Sequence, residues 1–253
     1  MSLPSLKGRV AVITGASRGI GLGLTEVFAE HGMHLGLCAR TLPRAPPGVK
    51  SLCRSVDVGD ERAVEAFADE VWSEIGPAAL WVNNAGILAP VGPLRELDTK
   101  DLERHLRVNL FGVFFGCRAY VRRLRAELSS RRPQNPVLIN VSSGAAQSGY
   151  AGWVPYCSAK AGVDRLSECL QLEEADAGLS VYSVAPGVVD TQMQAELRRC
   201  SPEQFPMLDK FLRLKTEGRF SSARHVASEL LKLAFDPAQR ARTVVVRLPP
   251  EKP

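Results

Sequence analysis

From Val10 to Leu248 the chain alternates short apolar runs with longer stretches of helical spacing. Val10–Thr14, His34–Ala39, Leu52–Val56, Leu80–Val82, Val137–Val141, Leu179–Val184 and 243–248 read as strands. Residues 20–30, 61–75, 99–127, 155–176 and 223–235 read as helices, and 191–214 as one or two short ones. Residues 41–50 hold three prolines, which excludes a regular helix there. Strict strand–helix alternation predicts an α/β fold, with a parallel sheet covered by helices on both faces. No linker, repeat or low-complexity segment divides the 253 residues, so one domain over 1–253 is expected. A chain of this length buries roughly 70–75% of its surface on folding and needs no staple.

Composition removes several function classes. The six cysteines form no C-x-x-C pair and no histidine cluster joins them, so neither a metal site nor a redox dithiol is expected. The first residues run straight into a strand without a secretory pattern, which predicts a cytoplasmic protein. The longest apolar stretch, 108–121, is broken by Asn109 and Arg118 and is too short for a bilayer. Net charge is +5. Its densest cluster, Arg122, Arg123, Arg125, Arg131 and Arg132, has no interleaved aromatics for base stacking and reads as a solvated helix end, not a nucleic-acid surface.

The first strand runs into Gly15-Ala16-Ser17-Arg18-Gly19-Ile20-Gly21. Glycines here permit a tight turn and let a diphosphate approach the backbone at the next helix's N-terminus. The second strand ends Cys38-Ala39-Arg40, where a dinucleotide site for NAD would place an acidic residue on the ribose 2′-OH. A cation suits a 2′-phosphate instead. Arg40, with Arg18 as a second cation, therefore predicts NADP(H) over NAD(H).

Tyr156 and Lys160 stand at i and i+4, on one face of a helix. A neighbouring ammonium favours the phenolate, so the spacing predicts a lowered tyrosine pKa. Such a tyrosine exchanges a proton with a carbonyl or alcohol oxygen. Ser143, at the end of the fifth strand, would donate a hydrogen bond to the same oxygen.

The ordered set of the glycine turn, Asp57-Val58, Asn83-Asn84-Ala85-Gly86, Asn109, Ser142-Ser143, Tyr156/Lys160 and Pro186-Gly187 resembles the short-chain dehydrogenase/reductase family over nearly the whole chain. The resemblance implies a single-domain Rossmann-type three-layer sandwich with a seven-stranded parallel sheet. It implies Tyr156 as acid/base, Ser143 as the donor to substrate oxygen and Lys160 as tuner of the tyrosine and holder of the nicotinamide ribose. Asn109 would complete a proton relay through water. Gly15, Ser17, Arg18, Gly19, Ile20, Gly21, Arg40, Asp57, Val58, Asn84, Ala85 and Gly86 would hold the adenosine and diphosphate. Pro186, Gly187, Val189 and Thr191 would hold the carboxamide end.

Gly152-Trp153 before Tyr156-Cys157, Leu172-Glu173-Glu174, Asp190-Thr191 and Met193-Gln194 are similar to sepiapterin reductases and their bacterial relatives, some of which reduce aromatic 1,2-diketones. The final strand lacks the aspartate that anchors a pterin, with Glu251 a doubtful substitute, so a small ketone, aldehyde or dicarbonyl is the expected substrate. Leu88, Gly149, Tyr150, Trp153, Val188, Met193, Leu197 and Phe205 are the candidate pocket, and 191–214 the candidate lid. Apolar faces on 99–127 and 155–176 imply a homodimer or homotetramer. Three alternatives stay open: an NADP-binding regulatory protein, a 3-oxoacyl-carrier reductase and a hydroxysteroid dehydrogenase.

Overall fold

The computed structural model describes residues 4–127 and 129–252. Seven parallel strands form one sheet: β1 (Val10–Thr14), β2 (His34–Ala39), β3 (Ser51–Ser55), β4 (Ala78–Asn83), β5 (Val137–Val141), β6 (Ser180–Ala185) and β7 (Val245–Arg247). Their order is β3-β2-β1-β4-β5-β6-β7, so the direction of winding reverses between β1 and β4. The central strands β1, β4 and β5 are buried along their whole length, as two-sided coverage requires.

One face packs on α1 (Gly19–Glu30) and α8 (Ala223–Phe235). Leu24 and Phe28 of α1 and Leu230 and Leu231 of α8 close over Ile13, Leu35, Leu37 and Ile139. The other face packs on α2 (Glu61–Glu74), α4 (Gly112–Ala126) and α5 (Val154–Glu173), with Phe67, Tyr120, Leu124 and Val163 over Val12, Trp81, Leu138 and Val181. Aspartate and serine caps begin the helices where the sequence supplies them. Asp60 accepts from Arg62 and Ala63 amides, and Ser222 from the His225 amide.

The expected helix 99–127 is interrupted. It consists of α3 (Thr99–Leu106), a π-helical turn Arg107–Phe111, and α4. A π-turn adds a residue to the helical repeat and concentrates at functional sites; here it carries Asn109. Residues 41–50 form no helix, as the prolines require. The 191–214 region folds into α6 (Gln192–Leu197) and α7 (Leu208–Thr216).

A buried polar string crosses the second core. The Trp81 indole donates to Asn83 Oδ1 at 2.8 Å, Asn83 Nδ2 to Asn140 Oδ1 at 2.8 Å, and Asn140 Nδ2 to Ser167 Oγ at 2.9 Å. It joins β4, β5 and α5 in one register.

Arg122, Arg123 and Arg125 of the arginine cluster are engaged by acids. Arg123 meets Glu65 and Asp69, Arg125 meets Glu174 and Asp176, and Arg122 meets Glu65. No helix among the described residues is long and apolar enough to cross a membrane.

Candidate active site

The winding reversal opens a crevice beyond the carboxyl ends of β1 and β4, the place where such sheets bind ligands. A cleft of about 1800 Å³ lies there. Its floor begins with the glycine turn. Gly15 and Gly19 have φ of +68° and +56°. A Cβ at Gly15 would lie 2.8 Å from Ala85 Cα, and one at Gly21 would overlap the Gly15 carbonyl oxygen. Gly21 thus closes the turn from behind and does not line the cleft. Asn84 braces the turn: its Nδ2 donates to the Thr14 and Gly15 carbonyls at 2.9 and 3.2 Å. Thr14 Oγ1 in turn accepts from the Asn84 and Ala85 amides.

Helix α1 starts at this turn with no side-chain cap. Its free amides and positive dipole end face the crevice, as a diphosphate requires. The residues fit a dinucleotide. Ser17, Arg18, Gly19, Ile20, Arg40, Asp57, Val58, Asn84, Ala85, Gly86, Pro186, Gly187, Val189 and Thr191 all line the cleft. Two of them also make hydrogen bonds of their own within the protein. Arg18 Nη1 donates to Gln192 Oε1 at 2.6 Å, so its guanidinium reaches toward α6 instead of standing free beside Arg40. Asp57 Oδ1 accepts from the Gly59 amide at 2.9 Å and fixes its own turn.

The end of β5 and the start of α5 bring Ser143, Tyr156 and Lys160 to one wall of the cleft. Lys160 is buried, and its Nζ donates to the Val141 carbonyl at 2.7 Å. Burial pulls its ammonium down to about 8, against the opposing pull of Asp164. Burial pushes the Tyr156 phenol up, and the Ser143 hydroxyl brings it part of the way back. The tyrosine shift is therefore the reverse of the one expected from the Tyr/Lys spacing. The lysine Nζ stands 5.7 Å from the phenol ring centroid and is bonded to backbone, so desolvation wins.

Asp164, one turn beyond Lys160, was not legible as a site residue. Its Oδ1 accepts from both Ser142 and Ser183 hydroxyls at 2.6 Å, tying β5 and β6 to α5. The i+4 and i+8 spacing from Lys160 and Tyr156 was the available signal. Asn109, fully buried, brackets Ile87: Oδ1 accepts from its amide at 3.0 Å and Nδ2 donates to its carbonyl at 2.9 Å.

Above these groups stands an aromatic wall. The Trp153 ring lies 5.3 Å from Tyr156, 5.4 Å from Tyr150 and 5.5 Å from Phe211, centroid to centroid. Leu88, Tyr150, Trp153, Val188 and Met193 line the cleft as expected. Gly149, Leu197 and Phe205 do not. Gly149 is exposed, while Leu197 and Phe205 are fully buried behind the wall, the Phe205 ring centroid 4.5 Å from that of Trp153 and tilted by 30°. Phe211 and Leu214 of α7 line it instead. Gly152, with φ +83°, admits the Gln204 backbone so close that no side chain fits. Glu251 lies at the cleft, where its carboxylate accepts from the Ser222 amide and hydroxyl at 2.5 and 3.0 Å.

Residues 9–201 match the family described as short chain dehydrogenase. The chain belongs to that family. Its members are oxidoreductases that use nicotinamide cofactors on small molecules and are commonly oligomeric. The chain is 30% identical over 237 residues to a benzil reductase ((S)-benzoin forming) of Bacillus cereus, covering 89% of this chain and 93% of that protein. It is 32% identical over 242 residues to the 3beta-hydroxysteroid dehydrogenase 1 of Eggerthella lenta, covering 92% and 89%. The ligand-free aldohexose dehydrogenase of Thermoplasma acidophilum superposes with a TM-score of 0.82 at 24% identity, over 98% of this chain and 94% of that one, a likeness of fold. The seven-stranded Rossmann-type architecture follows from the sheet itself.

Proposed function

We propose that this chain is an NADPH-dependent carbonyl reductase that takes aryl ketones and vicinal dicarbonyls. The observation that carries the reading is the convergence of Ser143, Tyr156 and Lys160 on one cleft wall directly beneath the Trp153 aromatic cluster. NADPH is favoured because β2 ends in an exposed Arg40 on the cleft, with no acid for a 2′-OH.

Bound NADPH supplies the hydride to the carbonyl carbon. The remaining work is the protein's. The Ser143 hydroxyl hydrogen-bonds the carbonyl oxygen. Tyr156 gives it a proton. The phenol, held up by burial, is protonated at neutral pH, which is the state a proton donor needs. Lys160, its Nζ 5.7 Å from the phenol ring centroid, would be the proton source that restores the phenol through an intervening hydroxyl or water. The Tyr150, Trp153 and Phe211 rings, inclined to one another by 50–60°, supply an angled aromatic surface against which an aryl group can pack edge-to-face.

The 3beta-hydroxysteroid dehydrogenase relative keeps a polycyclic substrate as the second reading, and the aromatic wall favours an aryl partner for edge-to-face contact. A homodimer or homotetramer is supported by the exposed Phe111 and Phe114 on the helix through α4 and Val154 and Leu172 on α5. A cytoplasmic setting is supported by six free cysteines.

The test is loss of NADPH absorbance with benzil, a ketosteroid, an acetoacetyl thioester and sepiapterin, against NADH and against Tyr156→Phe. Turnover of benzil that falls by about 1,000-fold in Tyr156→Phe, with NADPH binding kept, supports the reading. Undiminished turnover in the variant refutes it.

A further inference from the structure

His105 lies on α3, one turn before Asn109, and is fully buried. Its ring is wired at both nitrogens. Nδ1 is 2.8 Å from the Ala89 carbonyl oxygen, and Nε2 is 2.8 Å from Asn109 Nδ2. The tautomer follows from two independent constraints. A carbonyl oxygen only accepts, so Nδ1 carries the proton. Asn109 Oδ1 accepts from the Ile87 amide, which fixes the carboxamide with its NH₂ toward the ring, so Nε2 must accept. Both Nδ2 hydrogens are then used, one on Ile87 and one on His105.

We infer that His105 is the positioning residue that holds Asn109 and the 87–89 segment in place, and that its protonation sets the acid limit of activity. The inference rests on the reductase reading above. The clamped segment carries Leu88 into the cleft, and Gly86 before it approaches so closely that an added Cβ would lie 2.8 Å from Asn109 Oδ1. The His105 ring also meets Tyr156 edge-on, with centroids 6.1 Å apart at 76°. One neutral imidazole therefore fixes Asn109, the 87–89 segment that brings Leu88 to the cleft, and one side of Tyr156.

A second proton on the ring would place an N–H of Nε2 against the Asn109 NH₂. Turning the carboxamide over would restore that contact but lose both bonds to Ile87. The titratable groups around the ring are Tyr156 and Lys160 on α5 and Asp101 one turn back on its own helix. The 87–89 segment on its other side has none. Burial and the Lys160 charge both act against the imidazolium. The clamp is thus intact at neutral pH and opens only in acid.

The experiment follows benzil reduction from about pH 5 to 8 in wild type, His105→Leu and His105→Gln, with ¹⁵N NMR of histidine-labelled wild type. His105→Leu removes the acceptor and strands an Asn109 N–H, so kcat should fall about tenfold or more while NADPH affinity shifts less than about threefold. Gln offers an acceptor oxygen and should recover most of that loss. It does not titrate, so the acid limb seen in wild type should vanish. In the spectrum, the signal missing from His105→Gln should be an Nδ1–H tautomer titrating below 6.5. An Nε2–H tautomer, an ordinary titration, or a His105→Leu enzyme with wild-type kcat and pH profile overturns the inference. A wild type that reduces no carbonyl overturns the reductase reading alone, and the NMR arm still decides the state of His105.

Discussion

Replacing Lys160 with methionine tests whether this buried ammonium is held at a cost. Lys160 is 5% exposed, and burial brings its pKa from an ordinary 10.5 to about 8. Between those values the unfolded chain binds more protons than the folded one, so wild-type stability rises with pH in this window. The two pKa values set the cost of the charge at about 3 kcal/mol at pH 7, falling to about 1 kcal/mol near pH 9.5. Methionine has similar length and no charge, so Lys160→Met escapes this cost at every pH. The other groups that titrate in the range, the buried cysteines among them, act alike in both proteins and cancel in the difference. Urea unfolding followed by circular dichroism should therefore show wild type gaining about 2 kcal/mol on Lys160→Met between pH 7 and 9.5. Parallel curves, within about 0.5 kcal/mol, would mean that Lys160 is as well solvated as a surface lysine and would refute the argument.

Two further outcomes follow from the cofactor side. Arg40→Asp should remove the cation at the end of β2 and supply an acid for a ribose hydroxyl, moving the NADPH:NADH ratio of kcat/KM toward NADH by about 100-fold; an unchanged ratio would place the discrimination elsewhere. Gly21→Ala drives a methyl into the Gly15 carbonyl and displaces the turn by about 1 Å, so NADPH affinity measured by fluorescence quenching should drop about 100-fold; a tight-binding variant would show that the turn relaxes freely.

The strands were readable because each is a contiguous apolar run, and β1, β2 and β5 have the boundaries their residues imply. The Tyr156–Lys160 pair was readable for a similar reason: four residues on one helix fix their side. The π-turn at Arg107–Phe111 was not, because its sequence keeps ordinary helical spacing, and the extra residue is visible only in the backbone. Phe205 and Phe211 illustrate the remaining gap. Both are apolar and lie in the expected lid region, yet one packs behind Trp153 and the other faces the cleft. The distinction depends on how the 204–205 backbone ahead of α7 packs against Gly152, a long-range event with no local signature. The direction of the tyrosine shift is hidden from the sequence for a related reason. Spacing gives the neighbour, and only burial gives the dielectric around it.

Trp153 occupies the N-cap position of α5, three residues before Tyr156. The wall that would grip a substrate and the hydroxyl that would protonate it therefore sit on a single rigid turn. For anyone redesigning substrate range, this divides the pocket into two kinds of position. Changes at Trp153 or Tyr150 are transmitted to the proton donor and trade selectivity against rate. Changes at Phe211, Leu214 or Met193 belong to separate helices. A library confined to Leu214 and Met193 reshapes the mouth of the cleft with the least disturbance of the turn that carries Tyr156, whereas Phe211 reaches that turn through Trp153.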